Sequence, residues 1–218
     1  MLMLALTFTT GIVDAVGYLG LDRVFTANMT GNVVILGMAL AGADDLPVLG
    51  PALALGGFLA GAALGGRVLR SAPVGWAHRS TLTFGATGVV SVALGVGAVL
   101  SPPEAGAAWA QVVTTVLALA MGLQAATARR LAVKDVTTVV VTSTLTGLAA
   151  DSRLAGGDGG GWARRFLAVA LILVGACVGG LLLRTGERGV GLGLVVAGVL
   201  AVVVASVGHR RRDGDLLA

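Results

Sequence analysis

Long apolar runs, parted by short charged stretches, constrain this chain more than any other feature. An unbroken apolar run of about 20 residues is long enough to cross a bilayer. In hydrocarbon every backbone amide needs an internal partner, so such runs must be helices. A β-barrel does not fit, because the runs are too long and do not alternate polar with apolar side chains. Only 12% of the residues are charged, against about 25% in a soluble domain of ordinary composition. The chain therefore reads as an all-α, polytopic integral membrane protein: one transmembrane domain over residues 1–218, with the lipid bilayer as its first partner.

Eight apolar segments follow one another: about 1–21, 28–43, 46–69, 81–100, 107–128, 137–150, 166–183 and 189–208. Ser101-Pro102-Pro103-Glu104 breaks the chain between the fourth and fifth, and a glycine-rich loop, 156–161, precedes the seventh. Arg210-Arg211-Arg212 reads as a basic tail. Met1 to Leu6 carries no basic residue, so the first run is expected to be a retained helix rather than a cleaved signal.

The order of motifs suggests an internal duplication, with repeats at about 1–100 and 107–208. Gly61, Ala62, Gly65, Gly66, Leu69 and Arg70 align with Gly175, Ala176, Gly179, Gly180, Leu183 and Arg184. Thr26 and Thr30 align with Thr138 and Thr142, and Gly11 and Ala15 with Gly122 and Ala126. Such symmetry is common in transporters.

Segments 28–43 and 137–150 are short. At 1.5 Å per residue, ~14–16 residues reach ~21–24 Å, less than a ~30 Å hydrocarbon core. The basic residues give a second criterion. If neither short segment crosses, Arg23, Arg184 and Arg188 lie on one side and the remaining 12 of the 15 lysines and arginines on the other. The positive-inside rule favours that arrangement over eight spans. The expectation is six spanning helices plus two half-helices, in two inverted repeats, with both termini cytoplasmic.

Few residues can carry chemistry. Asp14 stands within the first segment, where an unpaired carboxylate is costly. It either serves a solute, proton or cation, or it caps or pins a neighbouring break in the backbone or salt-bridges an arginine. Asn28, Thr30 and Asn32 open the second segment; Asn28 or Thr30 suits an N-cap, and Asn28 and Asn32 are one helical turn apart. A half-helix starting inside the membrane would aim its free amides at a cavity. The alternative is hydrogen-bonded glue between helices. Gln124 and Thr142 are the corresponding candidates in the second half, and Thr138, Thr142 and Thr146 form one stripe. Cys177, the single cysteine, excludes a disulfide framework and reads as a small packing residue. His78 and His209 fall in expected loops without metal-ligand spacing, and no nucleophile–base pair is present. Neither a cofactor, a metal, a nucleic acid nor an enzymatic activity is expected. The leading reading is a small-solute transporter or channel with a polar site between the repeats, lined by Asp14, Asn28, Thr30, Asn32, Gln124 and Thr142. The other is a non-transporting scaffold or accessory subunit. A homo-oligomer is compatible with either.

Two stretches carry a resemblance. One is Leu6-Thr7-Phe8-Thr9-Thr10-Gly11-Ile12-Val13-Asp14-Ala15-Val16-Gly17-Tyr18-Leu19-Gly20-Leu21, continuing through Arg23-Val24-Phe25-Thr26-Ala27-Asn28-Met29-Thr30-Gly31-Asn32. The other is Met121-Gly122-Leu123-Gln124-Ala125-Ala126, then Arg129-Arg130-Leu131, Thr137-Thr138 and Thr142-Ser143-Thr144-Leu145-Thr146. In order and spacing, over nearly the whole chain, this resembles the YoaK family of bacterial membrane proteins, a domain of unknown function. The family pattern has Asn after the glutamine and Gly after the first threonine of the last motif, where this chain has Ala125 and Ser143. The resemblance implies a bacterial inner-membrane protein and supplies no substrate or reaction.

Overall fold

The computed structural model describes residues 2–73, 75–131 and 141–217, with side chains up to Arg212. Among the described residues, eight α-helices run in chain order: α1 (Leu2–Gly20), α2 (Met29–Leu40), α3 (Leu49–Leu69), α4 (His78–Leu100), α5 (Ala108–Leu131), α6 (Val141–Ala150), α7 (Trp162–Leu183) and α8 (Gly189–Leu217). Among the described residues there is no strand. Among the described residues, six helices are long and apolar enough to span a membrane, and α2 and α6 are not.

Several boundaries differ from the sequence reading. The Ser80 hydroxyl accepts the Ala77 N–H at 3.4 Å. That reach-back starts α4 at His78, three residues before the apolar run. Gly161, at φ 74°, turns the chain into α7 so that Trp162, Arg164 and Arg165 form its first turn. The basic tail is not a loose end: α8 continues through His209 and Arg210-Arg211-Arg212, because arginine is a good helix former. His78 and His209 therefore both lie in helices, with ring centroids 5.8 Å apart. Cys177 is exposed on the outside of α7, not packed inside.

Glycines set the helix pairs. Gly61 of α3 rests on the Leu119 carbonyl of α5, and Gly65 faces Leu123 and Ala126. Gly175 of α7 rests on the Phe8 carbonyl of α1, and Gly179 faces Ile12 and Ala15. In both pairs residue numbers climb together, so α3 runs parallel to α5 and α7 parallel to α1. In the α4–α8 pair they run oppositely. Gly88 meets Gly198 and Val202, whereas Gly95 meets Gly191 and Val195. Gly20 meets Val190 while Gly193 meets Val16, so α1 and α8 are antiparallel too. Thr83 meets Thr127 and Gly97 meets Trp109, so α4 and α5 are antiparallel.

These directions decide the topology. α1, α4 and α7 point one way, and α3, α5 and α8 the other. The α2 connection thus leaves and returns on one face, and the α6 connection on the opposite face. Neither short helix crosses, and both chain ends lie on the same face. That face also carries the α3–α4 turn, where Arg79 donates to the Val68 carbonyl at 2.8 Å and Arg130 to the Ala72 carbonyl at 2.7 Å. Arg79 covers a carbonyl of the last turn of α3, and Arg130 one just beyond it. Arg165 similarly ties α7 to α6 through the Gly147 carbonyl at 2.7 Å and Asp151 at 2.6 Å.

Candidate functional site

The segment between α1 and α2 turns back alongside α1. Val24 and Thr26 pack back against Gly17, one helical turn before the end of α1. Thr26, Ala27 and Asn28 then donate their backbone N–H groups to Asp14 Oδ1 at 3.1, 2.8 and 3.3 Å. Asp14 is six residues from the end of α1, ~9 Å down the helix axis. α2 therefore begins alongside α1, below the end of that helix. Glycine at position 17 is required here, since a Cβ would stand 2.5 Å from the Val24 carbonyl oxygen. Asp22 and Arg23 take positive φ values of 78° and 52° to turn the chain downward.

Asn32 completes the support. It is fully buried, at 0% exposure. Its Oδ1 accepts the Phe25 N–H at 2.9 Å, and its Nδ2 donates to the Phe25 carbonyl at 2.6 Å. Asn28 is the N-cap of α2, and its Oδ1 accepts the Gly31 N–H at 3.3 Å. As a cap it stands outside the helix and is exposed, so it does not share the buried face of Asn32. Thr30 is exposed as well.

Asp14, Asn28 and Asn32 are thus gathered around one backbone segment, residues 25–28. Gln124 and Thr142 are not hydrogen-bonded to that group among the described residues. Gln124 is buried on α5, and Thr142 is exposed on the first turn of α6. Thr146 donates to the Thr142 carbonyl at 2.9 Å, an ordinary back-bond within one helix. Thr137 and Thr138 lie outside the described residues. No three of His, Cys, Asp and Glu gather as a metal-binding group among the described residues.

A family model described as "Protein of unknown function (DUF1275)" matches residues 2–206. The chain belongs to that family. It is similar to the "UPF0700 transmembrane protein YoaK" of Bacillus subtilis (strain 168), at 33% identity over 153 residues. That stretch is 69% of this chain and 65% of the relative, a little under two thirds of the relative's length. No solved structure matches the chain. The chain is a multi-pass transmembrane protein, in keeping with that relative's name.

Sequence reasoning misses a second polar group. Ser80, Thr83, Thr87 and Ser91 recur along one face of α4, and all are buried. Thr127 of α5 reaches Thr83 Oγ1 at 2.9 Å, and Thr87 Oγ1 sits 3.1 Å from the Ala120 carbonyl. The three- and four-residue spacing is visible in the sequence. Threonine and serine are common in apolar helices, however, and the spacing alone does not say which helix they face.

Proposed function

We propose that the protein carries a small polar solute across a bacterial inner membrane, as a transporter or channel, with both termini cytoplasmic and no catalytic step. The observation that carries this is the crosswise pairing of its helices. Gly11 of α1 seats on Ile172 and Ala176 of α7, and Gly122 of α5 seats on Phe58 and Ala62 of α3. The first helix of each half packs on the third helix of the other. The α4–α8 seam maps onto itself, with Gly88 against Gly198 and Gly191 against Gly95. Helices equivalent under this exchange run in opposite directions, which is the pattern of inverted repeats about an axis in the membrane plane. Inverted halves are suited to exchanging roles, so that a central site opens to each face in turn. Among the described residues, Arg23, Arg184 and Arg188 belong to the other face and the remaining arginines to the face that carries both termini, which supports a cytoplasmic assignment of that face.

In this reading Asp14 and Asn32 hold the re-entrant segment, and Asn28 and Thr30 at the start of α2 meet the solute. Thr142 has the equivalent place at α6, and Gln124 lines the path from α5. The hydrogen-bonding of residues 25–28 also favours the scaffold reading, since the Phe25 backbone and the Met29 thioether occupy Asn32, and backbone N–H groups occupy one oxygen of Asp14. Flux separates the two. Purified protein in vesicles should raise the permeability to neutral polar solutes above that of protein-free vesicles, read by stopped-flow light scattering. Asn28→Leu with Thr30→Val should lower that flux at a stability cost of about 1 kcal/mol for the lost cap. Absence of flux for every solute in a panel of ions, amides and polyols overturns the transport reading in favour of the scaffold.

A further inference from the structure

Five arginines converge where α3 ends, α4 begins and α5 ends. Arg67 stands in the last turn of α3, and Arg70 is its C-cap residue. Arg79, in the first turn of α4, reaches back to the Val68 carbonyl and the Ser71 hydroxyl, each at 2.8 Å. Arg130, in the last turn of α5 beside Arg129, reaches the Ala72 carbonyl at 2.7 Å. Residues 67–72 are thus gripped by cations from both neighbouring helices and carry two more of their own. All five are exposed. None forms an ion pair among the described residues, and Arg67, Arg70 and Arg129 make no hydrogen bond there either. Arg67 and Arg70, three residues apart, are neighbours on the helix surface and repel. The first turn of α4 holds no acidic residue, so the positive end of that helix adds to the same corner.

The opposite face is built differently. Where α1 and α7 end together, Arg184 and Arg188 are accompanied by Glu187, and Arg23 by Asp22. The level of the arginine corner is set by α3 and α5, both long enough to cross a bilayer and both finishing here. Trp76, half-buried on the same turn, is a side chain suited to the headgroup layer.

We propose that this corner binds the phosphate of an anionic phospholipid headgroup, held by Arg67, Arg70 and Arg129. Guanidinium groups present paired donors that match phosphate oxygens, and one bound anion relieves the repulsion among all five. Clusters of this size at the end of a spanning helix suit anionic lipid. Leu64, exposed one turn before Arg67, offers the acyl chains an apolar surface that a free phosphate would not use. The proposal stands apart from the transport reading.

The experiment titrates phosphatidylglycerol or phosphatidylcholine into full-length protein in neutral detergent and counts bound lipid by native mass spectrometry. Phosphatidylglycerol should bind more tightly, by about fivefold for each arginine engaged. The triple variant Arg67→Gln, Arg70→Gln, Arg129→Gln should lose that preference and keep its unfolding midpoint in lipid-free detergent, since these side chains tie nothing. Arg184→Gln with Arg188→Gln should keep the preference. Equal affinity of the wild type for the two lipids overturns the proposal, as does an equal loss in the Arg184 and Arg188 variant, which would make the effect one of net charge. Displacement of phosphatidylglycerol by millimolar glycerol phosphate assigns the corner to a free phosphate instead. Asp135, four residues past α5, lies outside the described residues. A preference that first appears in Asp135→Asn would make that carboxylate the resident counter-anion and sink the lipid site.

Discussion

Asp14 on α1 and Asn32 on α2 hold adjacent stretches of the same backbone, Asp14 the N–H groups of Thr26, Ala27 and Asn28, and Asn32 both polar groups of Phe25. Removing either leaves peptide groups, most of them part-buried, without partners, at up to about 1–3 kcal/mol each. Asn32→Leu should therefore destabilise the folded protein by about 2–4 kcal/mol, read as a lowered midpoint in thermal or denaturant unfolding in detergent. A midpoint within error of wild type would show that Asn32 is dispensable to the segment.

Because both side chains act on one segment, their effects should not add. In a double-mutant cycle, Asp14→Asn and Asn32→Leu should couple by more than about 0.5 kcal/mol, the usual limit of independence for separated sites. Once one anchor is gone, the segment is loosened and the other has less to hold. Strict additivity would mean that Asp14 and Asn32 support independent structures.

Topology gives a test of a different kind. Single cysteines at Asp45 and Glu104, in a background carrying Cys177→Ala, should react with an impermeant thiol reagent from the periplasm. Cysteines at Arg79 and Arg153 should react only from the cytoplasm. The helix directions require each pair to share a face, and the excess of arginines orients the faces. Asp45 reacting together with Arg79 would mean that α2 crosses.

How much of this is legible in the sequence depends on whether side chains or backbone carry the signal. The six spans are legible because apolar length alone decides them. The shortness of 28–43 and the clustering of arginines foretell that α2 turns back. The Asn28 cap is legible because its oxygen serves its own helix. The partners of Asp14 are not, because three backbone amides leave no residue signature. Nor is the burial of Asn32, one turn from an exposed Asn28, since it depends on how α2 sits against its neighbours. The packing glycines Gly61 and Gly175 are legible by spacing, whereas the pairing of Thr127 with Thr83 depends on which helix neighbours α5.

Glycines on α3 provide the last test, because one helix carries both kinds. A Cβ at Gly61 would run into the Leu119 backbone of α5, whereas at Gly56 and Gly66 it would meet nothing within 4 Å. The backbone at Leu119 belongs to a helix and cannot yield without moving α5. Gly61→Ala should accordingly destabilise by about 1–3 kcal/mol, the range for overpacking a filled interior. Gly56→Ala and Gly66→Ala should be neutral or stabilise by up to about 1 kcal/mol, since alanine favours a helix where no contact is lost. The same contrast should hold in the other half, where Gly175 rests on the Phe8 backbone while Gly180 has only the end of the Leu19 side chain, 3.9 Å away. Unfolding midpoints of these five alanine variants and wild type, measured side by side in one detergent, decide it. Equal losses at Gly56 and Gly61 would mean that α3 is not seated on α5 through its Gly57, Gly61 and Gly65 face, and the crosswise pairing of the two halves would fall with it.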